Sequence, residues 1–111
     1  MQMNLYMLNL TQVILIEWKG NRGGSTSFEL KPTMVFRDPS AWYHIVFQWD
    51  SADGTADDRM KIFVNGSQIT SFGTRSNPSS GLDSLIGDAE QTYVGGHNTS
   101  TNWEGYFAEY V

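Results

Sequence analysis

The sequence predicts an all-β fold of about seven or eight short antiparallel strands, arranged as a sandwich or an open barrel. Three observations predict it. The run from Arg37 to Gly66 reads as two alternating strands joined by a polar segment and closed by Asn65-Gly66. Composition agrees: 14% of residues are aromatic, and 11 glycines supply many turns. No long segment carries apolar residues at the 3.6-residue spacing of an amphipathic helix.

Taken in order, residues 3–8 and 12–18 each read as strands. Val13 to Ile16 is a continuous apolar run, which suits a strand buried on both faces. Lys19 to Ser27 is a loop by composition. Ser27 to Leu30 and Thr33 to Arg37 are short strands, separated by Lys31-Pro32. With no N–H to donate to a ladder, Pro32 belongs at a strand start or edge. Asp38-Pro39-Ser40 is a turn that launches the central strand. Trp42 to Trp49 then alternates without a break, with Tyr43, Ile45, Phe47 and Trp49 on one face. Trp42, His44, Val46 and Gln48 lie on the other.

Ser51 to Asp58 holds no large apolar residue and reads as a solvated loop. Arg59 to Val64 alternates again, with Met60, Ile62 and Val64 on one face. Asn65-Gly66 suits a type I′ hairpin turn, because both residues tolerate positive φ. Ile69 continues the chain on the far side. Ser71 to Gly81 is loop-like, Leu82 to Ile86 is a short turn of helix or strand, and Gln91 to Val94 is a strand. His97 to Asn102 is a polar loop, and Trp103 to Val111 alternates as a final strand. The expectation is one domain over residues 1–111, cut short inside that strand or completed by something else.

The formal net charge is −5, with 7 Lys and Arg against 12 Asp and Glu. Without a basic stripe to displace counterions, no nucleic-acid partner is expected. Attraction to an anionic bilayer is disfavoured for the same reason. No membrane insertion is expected either. Asn4, Asn9, Thr11 and Gln12 interrupt the apolar N-terminal stretch, which lacks the basic start and cleavage site of a signal peptide. There is no cysteine, so disulfides and thiolate metal sites are excluded.

Three pieces resemble the laminin G-like branch of the concanavalin A-like lectin/glucanase superfamily. Trp42-Tyr43-His44-Ile45-Val46, with Asp50 at the strand end, is similar to the family's W-x-H-[VI]-[VA] strand. Lys61-Ile62-Phe63-Val64-Asn65-Gly66 is similar to its hairpin ending in Val-[ND]-Gly. Tyr93-Val94-Gly95-Gly96, followed by Trp103-Glu104-Gly105-Tyr106-Phe107-Ala108-Glu109, is similar to its late strands. The arrangement looks closest to such domains in phage and marine viral structural proteins. The resemblance covers residues 36–111 and leaves residues 1–35 as N-terminal strands outside it. It implies an antiparallel β-sandwich of jelly-roll type, incomplete at both ends.

Asp50, Asp53, Asp57 and Asp58 gather around one loop, and hard carboxylate oxygens of this kind suit Ca²⁺. The spacing is not that of an EF-hand. Laminin G-like domains often hold Ca²⁺ at the rim, so the resemblance favours calcium here. The competing reading is a solvated acidic loop between two strands.

Sugar recognition needs an aromatic platform for the ring face and planar polar groups for the hydroxyls. His97, Asn98, Asn102 and Trp103 offer both in one loop, with Arg75 and Asn77 in another. Against this, Trp103 starts a strand and the Asn and Ser residues suit turns. Trp42 and His44 read as packed or sheet-face residues, and His44 has no second His or Cys at ligand spacing. Three sequons, at Asn9, Asn65 and Asn98, carry weight only in a eukaryotic secretory pathway.

The superfamily's glucanases place their acid pair on one strand as E-x-D-x-x-E, and retaining chemistry needs two carboxyls about 5 Å apart. Glu17, Glu29, Glu90, Glu104 and Glu109 do not form that spacing. G-x-S-x-G, P-loop and dinucleotide fingerprints are absent. The expectation is therefore not an enzyme. It is a recognition module on a virion or outside the cell, for example in a tail fibre. The expected partner is a glycan or a cell-surface receptor, with the chain part of a homo-oligomer or larger assembly. The alternative is a structural jelly-roll spacer or oligomerisation module, with a glucanase-like enzyme third.

Overall fold

The computed structural model describes residues 2–7, 14–38, 40–84, 86 and 105–108, with side chains for 15–38, 40–84 and 86. These residues are all-β, with one short 3-10 turn. The strands are β1 (Gln2–Met7), β2 (Ile14–Leu15), β3 (Trp18–Arg22), β4 (Ser25–Pro32), β5 (Val35–Phe36), β6 (Trp42–Trp49), β7 (Met60–Val64), β8 (Ser67–Gln68), β9 (Phe72–Ser76) and β10 (Gly105–Ala108). Every pairing is antiparallel. A five-stranded sheet runs β10-β1-β6-β7-β8, a three-stranded sheet runs β3-β4-β9, and β2 pairs with β5.

The alternating runs become β6 and β7. The register pairs Ile45 with Val64 and Phe47 with Ile62, and all four side chains are buried. Directly opposite residues share a face, so one row of apolar groups crosses both strands. From the other sheet, Trp18, Phe28 and Leu30 meet this row. The Trp18 ring lies 5.0 Å from that of Phe47, and the Phe28 ring 4.7 Å from that of Trp49, both at steep angles. Tilted or edge-to-face contacts of this kind contribute about 0.5–1.5 kcal/mol beyond the area they bury. Phe36 of β5 joins the core, with its ring 4.7 Å from that of Tyr43.

Asn65 and Gly66 take φ of 49° and 81°, the two positive values that a type I′ hairpin requires. Asp38 also acts as the expected turn residue. Its Oδ1 accepts from the Ser40 amide at 3.0 Å and from the Ser40 hydroxyl at 2.6 Å.

Four expectations need correction. Lys19 to Ser27 is not a loop: β3 and β4 form a hairpin there, turned by Gly23 and Gly24 at φ of 58° and 80°. Ser71 to Gly81 contains β9, which pairs with β4 from Glu29↔Ser76 to Pro32↔Phe72. The Val13–Ile16 run is not a strand buried on both faces, because Leu15 is 48% exposed while Ile16 is buried. Thr33 to Arg37 shortens to Val35–Phe36. Pro32 lies at the end of β4, beside a register shift between Lys31 and Pro32. It is tolerated there because the ladder is already irregular.

Candidate functional site

The described rim that the sequence singles out is the connection between β6 and β7, residues 50–59, together with the segment that follows β9. Two arginines join them. Arg59, next to β7, donates from Nε to the Asp53 carbonyl at 2.9 Å and from Nη1 to the Pro78 carbonyl at 3.1 Å. Arg75 on β9 donates from Nε to Asn77 Oδ1 at 3.1 Å and lies 3.0 Å from Asp57 Oδ1. Its Nη2 also donates to the Asp57 carbonyl. Asn77 Nδ2 donates to Asp57 Oδ1 at 2.6 Å, and the Gly81 amide donates to the Ser51 carbonyl at 2.9 Å. Arg75 stands opposite buried Leu30 at the border of the three-stranded sheet. From there it crosses to a loop carried by the five-stranded sheet. Its guanidinium carbon also lies 4.9 Å from the centre of the Phe72 ring.

The four aspartates do different work in this rim. Asp50 Oδ1 accepts from the Ala52 amide at 3.2 Å, and Asp53 Oδ1 accepts from the Thr55 amide at 2.7 Å. Both are local turns. Asp57 faces Arg75 and Asn77, and Asp58 pairs with Lys61 at 2.9 Å. Among the described residues, no group of three or more His, Cys, Asp or Glu side chains is placed to hold a metal ion. Ca²⁺ needs several oxygens converging on one point, and here the four carboxylates turn to separate partners. Arg75 and Asn77, read as groups offered to a sugar, are engaged in holding this loop.

His97, Asn98, Asn102 and Trp103 lie outside the described residues, as do the carboxylates Glu90, Glu104 and Glu109. Trp42 and His44 both stand on the face of β6 opposite Ile45 and Phe47. Trp42 is 52% exposed and His44 half-buried. The two arginine ties were missed by the sequence reading. Their acceptors include backbone carbonyls up to 19 residues away, and a carbonyl leaves no residue-type signal. The Asp38 carboxyl is held away from its ordinary pKa. The Ser40 hydroxyl and then the Ser40 amide hold its carboxyl below the ordinary value, with a weaker opposing push from burial.

No known protein family, curated protein or solved structure matches this chain.

Proposed function

We propose that this chain is a non-catalytic recognition module of the β-sandwich, jelly-roll type, binding carbohydrate or a cell-surface receptor through its rim loops. In this reading it belongs to a phage or viral structural protein such as a tail fibre, at the virion surface or outside the cell. The supporting observation is the pinned rim. The 50–59 loop and the segment after β9 are tied by Arg59, Arg75 and Asn77. A loop held in advance loses less conformational entropy when a ligand arrives. Shallow contacts of this sort gain strength when many copies act together. The viral assignment rests on the resemblance of residues 36–111.

The test is a glycan array with the full chain, beside a His97→Ala/Trp103→Ala double variant. Glycan binding that the double variant loses supports recognition through the rim. Binding that the double variant retains rejects that loop as the contact.

A second reading, a structural spacer or oligomerisation module, is favoured by the order of the five-stranded sheet, which does not close among the described strands. Its outer described strands are β10 and the two-residue β8. Unpaired strand edges invite pairing with a neighbour. A chain that is stable only as an oligomer and binds no glycan would favour this second reading.

A further inference from the structure

We infer that the outer face of the five-stranded sheet is a second carbohydrate-contact surface, a flat strip for an uncharged glycan centred on Trp42. The inference rests on the recognition reading and adds a site to it, away from the rim loops.

Register carries the first part. Trp42 on β6 stands opposite Tyr6 on β1, and Tyr6 stands opposite Tyr106 on β10. Directly opposite positions share a face, so three aromatic positions form one row across three neighbouring strands. With strands about 4.8 Å apart, the row spans about 10 Å, the scale of a disaccharide. The next row holds His44 opposite Asn4. The β10-β1, β1-β6 and β6-β7 pairings run without a register shift, unlike both pairings of the other sheet. A continuous ladder keeps opposite positions on one face.

Exposure and charge carry the second part. Trp42 is 52% exposed, although large aromatic side chains are mostly buried. Gln48, on the same face of β6, is exposed, as is Gln68, opposite Phe63. No Asp or Glu takes a position on this face among the described strands. Lys61, opposite Gln48, is paired with Asp58 at 2.9 Å. At its described side chains the strip therefore carries Trp42, Val46 and Phe63 with exposed Gln48 and Gln68 beside them, and its one described charge is paired. An acidic polymer would need basic groups, and a basic partner acidic ones. A pyranose presents an apolar C–H face for an aromatic ring and hydroxyls for amides.

The test is affinity electrophoresis of the full chain through gels holding a soluble uncharged glucan or, in parallel, an alginate. Trp42→Ala, Trp42→Phe and the His97→Ala/Trp103→Ala variant are run beside the wild type, with melting curves and sedimentation mass for each. The expected result is glucan binding weakened about five- to tenfold by Trp42→Ala, the loss of one stacked ring. Trp42→Phe should restore most of it, and all masses should be equal. If Trp42→Ala binds glucan like the wild type while the loop variant does not, the sheet-face site is overturned and rim recognition stands. If the wild type binds neither polymer, the sheet-face site falls, and the glycan array alone decides rim recognition. Stronger retention by alginate overturns the uncharged-ligand assignment. A mass that falls in Trp42→Ala overturns the site in favour of self-association.

Discussion

Asn65 shows how one residue can serve as both turn and ladder. Its amide donates to the His44 carbonyl at 2.8 Å, and its Oδ1 accepts from the His44 amide at 2.9 Å. The side chain thus completes a rung that backbone alone would leave open, at a φ of 49° that few non-glycine residues tolerate. Asn65→Ala should cost about 1–2 kcal/mol, combining the lost bond with left-handed strain. Asn65→Gly should cost less, because it loses the bond alone. Urea unfolding of both variants checks the order. Gly20 is required for a different reason: a Cβ there would lie 2.3 Å from ring carbons of Phe28. Asp38 carries the pH prediction. Its folded-state pKa lies below its unfolded value, so its contribution to stability is present above the unfolded value. That contribution is lost as pH falls through the folded one. Ser40→Ala removes the hydroxyl bond and should move the Asp38 pKa back up, as read by NMR titration of its carboxyl carbon.

At the level of elements, the rim is two loops made into one body. Arg59 and Arg75 stretch from the β7 and β9 regions to backbone carbonyls of the loops. Arg59→Met keeps much of the stem but removes two charge-assisted bonds, and should cost about 2 kcal/mol. Amide hydrogen exchange should quicken across residues 50–58 and 77–82 while β6 and β7 stay protected. The acidic composition of this loop suggests a metal, yet its carboxylates turn to the Ala52 and Thr55 amides, Arg75 and Lys61. Adding a chelator should therefore leave the melting temperature where it is. The β3–β4 hairpin was legible in one respect that composition hid. Gly23-Gly24 suits a two-residue hairpin turn as Asn65-Gly66 does, but short polar flanks made the whole stretch look like loop. Phe72 to Ser76 was hidden similarly, since it pairs through backbone with one apolar side chain among five residues.

At the scale of the whole molecule, one core serves both larger sheets. Leu30, Ile45, Met60 and Ile62 are fully buried, and Trp18, Phe28, Phe47 and Trp49 interlock their rings between the sheets. Interiors packed this closely relax little when atoms are removed. Leu30→Ala should cost about 2–5 kcal/mol, a large share of the stability of a domain this size. Equilibrium denaturation should show it as a lower midpoint with an unchanged slope. On the outer face of the larger sheet, Trp42 is among the exposed large side chains.

The sequence by itself determined the central antiparallel unit. Alternation at Trp42–Trp49 and Met60–Val64, with Asn65-Gly66 between β7 and β8, sets strand extent, the shared face and the hairpin turn, because the two-residue side-chain period and the turn's positive φ are local properties. Only the tertiary structure decided which segments join the second sheet, where Arg59 and Arg75 find acceptors, and which positions stand beside Trp42. Those outcomes depend on strand neighbours distant in the chain and on backbone carbonyls, which every residue carries and no side-chain pattern records.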